Sequence, residues 1–173
     1  VVGIAVALML FSPELVLIFG SPKYREAVYV IPPVAASVFF IFIYNILSMP
    51  QFYYEKTQFL MAASMAAAGA NVVLNFIFIR LFGYIAAGYT TLACYMLYSV
   101  GHYIVSKRIL VNEGIQENLM SPGFLVACSV FLIGASIICN LIFPYRILRY
   151  AILLASAGLV FWKKELLLKT MAD

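Results

Sequence analysis

Apolar residues run through this chain in blocks about as long as a bilayer is thick, separated by short polar links. The blocks fall at about 1–19, 27–50, 59–80, 85–106, 122–143 and 147–162. At 1.5 Å per residue the first covers about 28 Å, close to one hydrocarbon thickness. The pattern predicts an all-α protein, a polytopic transmembrane bundle of about six helices in one domain. Gly20-Ser21-Pro22 stops the first block, and Lys23, Arg25 and Glu26 form the link after it. Pro32-Pro33 near the start of the second predicts a kink or a late helix start, and Pro50 leads out of it. The third is crowded with small residues from Ala62 to Ala70, which predicts close packing against neighbouring helices. Arg80 and the Leu81-Phe82-Gly83-Tyr84 turn close it, and Lys107 and Arg108 end the fourth. A polar link then covers about 109–121, with Glu113 and Glu117. The sixth block spans only if Arg149 snorkels to the interface, and Lys163, Lys164 and Lys169 finish it. Val1 opens inside an apolar block, which predicts a chain whose N-terminal part is missing.

Composition sharpens this reading. A soluble domain carries about 25% charged residues, whereas these 173 residues are 10% charged and 65% hydrophobic. The net charge of +4 comes from small clusters between blocks, so the cations read as interface anchors and not as a nucleic-acid footprint. With six spans, the links on the C-terminal side hold six Lys and Arg against five opposite, a slight lean towards a cytoplasmic C-terminus. Cys94, Cys128 and Cys139 lie far apart inside apolar blocks, as small helix residues would. No GxSxG, P-loop, Gly-rich nucleotide loop, HExxH or paired acidic cluster is present, so the sequence predicts no enzyme, metal site or cofactor.

The chemistry open to such a chain rests on polar residues inside the apolar blocks. Asn71 and Asn75, four apart on the third helix at roughly mid-depth, share a face. They either hydrogen-bond between helices or line a polar path. Tyr44, Asn45 and Ser48 on the second helix, and Tyr95, Tyr98 and His102 on the fourth, extend that face. Phenol rings stack on sugars and their hydroxyls exchange hydrogen bonds with them; His102 reads equally as an interfacial residue. Glu14 reads as a partly solvated carboxylate near a helix end.

Several strings, taken in order, resemble a known family. Ser12-Pro13-Glu14, Ile18-Phe19-Gly20, Lys23-Tyr24 and Ile31-Pro32-Pro33 come first. Tyr53-Tyr54-Glu55-Lys56-Thr57, the Asn71 to Asn75 helix and the Phe82 to Leu92 stretch follow. Together they are similar to bacterial polysaccharide and O-antigen flippases of the multidrug/oligosaccharidyl-lipid/polysaccharide exporter superfamily, over roughly 11–106. The resemblance implies the C-terminal lobe of a larger two-lobed transporter in the bacterial cytoplasmic (inner) membrane. It implies a substrate, polyprenyl-pyrophosphate-linked oligosaccharide, moved between leaflets by alternating access, with polymerase or glycosyltransferase machinery as partners. Family members often hold the pyrophosphate with basic cavity residues, which makes Lys56 and Arg80 the candidates for a phosphate contact, although both sit near helix ends. A cation-coupled multidrug exporter of the same superfamily, and a non-transport membrane enzyme or assembly subunit, are the competing expectations.

Overall fold

The computed structural model describes residues 1–115 and 120–162. Six α-helices follow one another: α1 (Val2–Phe19), α2 (Ile31–Tyr53), α3 (Gln58–Phe82), α4 (Ala86–Asn112), α5 (Pro122–Ile142) and α6 (Arg146–Trp162). A 3-10 segment, Pro22–Tyr29, joins α1 to α2. Glu117 and the terminal lysines Lys163, Lys164 and Lys169 lie outside the described residues. Helices α1, α2, α3 and α5 are long and apolar enough to cross a membrane, which makes this a multi-pass membrane protein. At 27 residues α4 has the length, but its Thr, Tyr, Ser and His side chains dilute its apolar character. The described part of α6 is 17 residues, about 26 Å.

Turn chemistry explains where these helices depart from the predicted blocks. The second helix starts late, as one of the two expectations for Pro32-Pro33 had it. Residues 22–29 wind as 3-10, and α2 opens with Pro32 in its first turn, where the missing N–H has no intrahelical acceptor to serve. Helix α2 does not leave at Pro50 but continues to Tyr53, which carries Gln51 into the interior. Helix α4 runs six residues beyond the predicted end at 106, to Asn112. Gly114, at φ +78°, stops it. Ile115 N–H bonds Leu110 O at 2.9 Å and Gly114 N–H bonds Val111 O at 3.1 Å, a Schellman cap that satisfies the last carbonyls. At the start of α5, Ser121 Oγ accepts from Phe124 N at 3.3 Å, with Pro122 behind it.

The core is the α2–α4 pair, which runs parallel. On α2 the buried positions Pro33, Ala36, Phe40, Ile43, Leu47 and Pro50 repeat at three and four. On α4, Gly88, Leu92, Ser99, His102, Ser106 and Ile109 answer them. This is the spacing of knobs-into-holes packing. Ser99 Oγ donates to Phe40 O at 2.9 Å, and seven residues on Ser106 Oγ donates to Leu47 O. At the crossing near their starts, α4 presents Gly88 to Pro33 and Val30. Helices α1 and α5 pack on α2, and α6 leans on both.

Helix α3 meets the expectation in part. It lies along α4, towards which Ala63, Ala66, Ala67 and Ala70 turn with Cys94, Leu97 and Gly101 opposite, but the fit is loose: none of its residues is buried, and a hollow of about 320 Å³ is left between the two helices. Alternation of helix direction puts Lys56, Lys107 and Arg108 at one end of the bundle and Arg80, Tyr84 and Arg146 at the other. Arg149, expected to snorkel, is buried, because Glu14 on α1 turns inward to meet it.

Candidate functional site

A polar seam runs along the face that α4 turns towards α2 and α3. Thr91, Tyr95, Tyr98 and His102 are spaced four, three and four, so they form one stripe. Tyr44 of α2 sits among them, with ring centroids 6.4 Å from Tyr95, 4.7 Å from Tyr98 and 5.8 Å from His102. Tyr98 meets His102 edge-on at 4.5 Å, and Phe59 meets the same imidazole at 5.4 Å. The Tyr98 hydroxyl shares a 2.7 Å hydrogen bond with Ser64, tying α3 to the seam.

Beneath the rings, Gln51, His102 and Ser106 are wholly buried. Their hydrogen bonds have one consistent direction. A carbonyl oxygen only accepts, so Ser106 gives its proton to Leu47 O and must accept from Gln51 Nε2, 2.9 Å away. The same amide nitrogen lies 2.9 Å from His102 Nδ1, which therefore offers a lone pair. The imidazole is thus neutral with its proton on Nε2. Among the described residues, neither that Nε2–H nor Gln51 Oε1 has a hydrogen-bond partner.

Towards the Arg80 end the seam continues as carboxamides and hydroxyls. Asn75 Nδ2 donates to Asn71 Oδ1 at 2.9 Å, Thr90 Oγ1 donates to Asn75 Oδ1, and Asn71 Nδ2 reaches Thr91 Oγ1 at 3.5 Å. Thr90 stands four residues into α4, about 6 Å from its start; on α3, Asn71 lies one residue from the helix midpoint and Asn75 one turn nearer the Arg80 end. The asparagines face α4 and bond between helices. Two further polar contacts brace the bundle. Asn140 of α5 donates to the Tyr89 hydroxyl at 2.8 Å. Glu14 accepts from both Arg149 and Tyr150, the latter at 2.7 Å.

The structure therefore brings Tyr44, Tyr95, Tyr98 and His102 together and joins Asn71 and Asn75 to the same stripe of α4. Asn45 lies apart: it is exposed, and its amide donates back to Ile41 O at 2.7 Å. Ser48 turns to Asn45 O on its own helix. Lys56 and Arg80 bracket α3 and stand about 36 Å apart, so they cannot meet one phosphate. Lys56 pairs with Glu113 at 3.4 Å, and Arg80 lies over the Phe76 ring at 3.8 Å.

Gln51, Ser64, Thr90, Thr91 and Ser106 escaped the sequence reading. Two had a legible signal, since Gln51 follows Tyr44 by seven and Ser106 follows His102 by four, each on its partner's face. Chemically, the seam offers aromatic faces, one imidazole donor and a ladder of amides and hydroxyls. Among the described residues, no carboxylate hydrogen-bonds to it. No protein-family model matches this chain, and neither a curated protein nor a solved structure matches it.

Proposed function

We propose that this chain is part of a membrane flippase that moves polyprenyl-pyrophosphate-linked oligosaccharide across the bacterial inner membrane for cell-surface polysaccharide synthesis. In this reading it is the C-terminal lobe of a two-lobed transporter working by alternating access beside polymerase or glycosyltransferase machinery. One observation carries the reading: Tyr44, Asn71, Asn75, Thr90, Thr91, Tyr95, Tyr98 and His102 are gathered in one seam along α4, under a helix that buries nothing. A glycan head group loses its water on entering hydrocarbon, and rings, amides and hydroxyls are the groups that replace it. Helix α3 holds α4 through Ser64, Asn71 and Asn75, and sugar hydroxyls can exchange with those bonds as the helices part and reclose.

The test is a gene deletion complemented with wild-type protein or with Tyr44→Ala and Tyr98→Ala. Deletion should remove surface glycan and accumulate the lipid-linked repeat unit in the cytoplasmic leaflet. The two variants should restore transport poorly while reaching the membrane in normal amounts. Unchanged surface glycan in the deletion strain defeats the proposal.

A further inference from the structure

Helix α5 packs on α1 and α2 and scarcely touches α4. A cleft of about 340 Å³ opens between α4 and α5, with α2 as its floor, a volume within the range of small-molecule sites. Phe40, Ile43 and Leu47 form the floor, and Met96, Leu125 and Ile133 the walls. Exposed Val126 and Val130 mark its opening to the outside of the bundle. The wall hydroxyls of Ser99 and Ser129 bond backbone carbonyls. The Tyr103 hydroxyl is different: it is buried and, among the described residues, without a hydrogen-bond partner.

Tyr103 also borders a second hollow, about 320 Å³, which it shares with Ile104, Lys107 and Arg108. Both cations are exposed, and among the described residues neither is in an ion pair, while Glu113 is taken by Lys56. An apolar cleft open to the side thus leads, through one buried phenol, to two adjacent positive charges at the depth of the head groups. We propose that it holds a chain of an anionic phospholipid from the leaflet at the Lys56 end. Its phosphate rests on Lys107 and Arg108, and the Tyr103 hydroxyl donates to a phosphate or ester oxygen. Lys and Arg side chains at the membrane surface attract such head groups. The occupant is a bilayer phospholipid and not a lipid-linked substrate held by the seam. The seam lies on the opposite side of the α2–α4 contact, which is closed between them. The lipid chain supplies the apolar surface that α4 and α5 do not give each other.

Native mass spectrometry of the purified full chain, titrated with dioleoylphosphatidylglycerol or dioleoylphosphatidylcholine, tests this. Wild-type protein should bind one phosphatidylglycerol in clear preference to phosphatidylcholine. Lys107→Gln and Arg108→Gln, both exposed and expected to fold normally, should each weaken phosphatidylglycerol binding about fivefold, and together roughly thirtyfold. Ser129→Phe puts a ring in the cleft and should abolish binding of both lipids, with Val126→Trp as a second filler should the first misfold. Equal affinity for the two lipids, an undiminished preference in the double charge variant, or full binding in a well-folded filled variant would overturn the assignment. So would stronger retention of an isoprenoid phosphate than of phosphatidylglycerol at the same cleft.

Discussion

Gly88 sets how closely the two core helices approach, and replacing it with alanine makes a sharp test. A Cβ built there meets Pro33 Cγ at 2.8 Å, Val30 O at 3.0 Å and Val30 Cγ1 at 3.2 Å. Carbon atoms in comfortable contact stand about 3.5–4.0 Å apart, so α4 must retreat by roughly 0.7 Å or more. The neighbours are a closed ring and a helix-forming backbone carbonyl, neither of which swings aside. Overpacking of this kind costs about 1–3 kcal/mol, against a helix-propensity gain of at most about 1 kcal/mol for replacing glycine. Gly101 on the same helix is the control. Its added Cβ would lie 3.6 Å from Phe59 Cζ, an ordinary contact, so Gly101→Ala receives the propensity gain without the clash. The two variants should differ by about 1–3 kcal/mol, with about 2–4 °C of Tm for each kcal/mol in a chain of this size. Tyrosine and tryptophan fluorescence during a thermal ramp in detergent reads the difference directly. Should Gly88→Ala melt as high as Gly101→Ala, the close crossing of α2 and α4 is wrong.

Three other outcomes are expected. Glu14→Gln leaves the Arg149 guanidinium, whose side chain is 4% exposed, without its counter-ion. That should cost about 3 kcal/mol, which Glu14→Gln with Arg149→Met should largely recover in a double-mutant cycle; additive losses would argue against the pair. Asn71→Leu with Asn75→Leu should loosen α3 from α4 by about 1 kcal/mol, since interhelical hydrogen bonds in membranes average about 0.6 kcal/mol each. Hydrogen exchange should then rise in α3 and stay level in α4, and equal protection in both helices refutes this. In the loop before α4, desolvation, the hydrogen bond to Glu26 and the charge of that carboxylate push the Tyr84 phenol above its ordinary 10.0. The folded loop favours the neutral phenol, so the contact's stabilisation is complete below about pH 10 and fades as pH rises through the elevated value. An ultraviolet titration, wild type minus Tyr84→Phe, should place the midpoint above that of a free phenol, and Glu26→Gln should bring it down.

The helices were legible because bilayer length and apolar composition leave little choice: lipid-facing backbone must pair with itself, and helices do so within one segment. What escaped was set by single residues at the margins. Gly114 could have been read as the stop for α4, yet Lys107 and Arg108 suggested an earlier end. Pro50 suggests an exit and a loop position for Gln51, but a proline removes one donor without ending a helix whose flanks are packed, and α2 runs on through both. The aromatic stripe on α4 followed from spacing alone. Arg149 could not be placed from spacing, because its partner lies 135 residues earlier in the chain. The small-residue run of α3 was read through composition, whereas the asparagines, serine and threonines are what fasten that helix.

The two serine bonds from α4 to carbonyls of α2 repeat at the same interval on both rods, and this has a mechanical consequence. A slide by one residue would break both together, and the next carbonyls on that face of α2 lie a full turn away, about 5 Å. The pair is thereby keyed like a ratchet tooth in its slot. It travels as one spar, and whatever swings in this protein must swing about it.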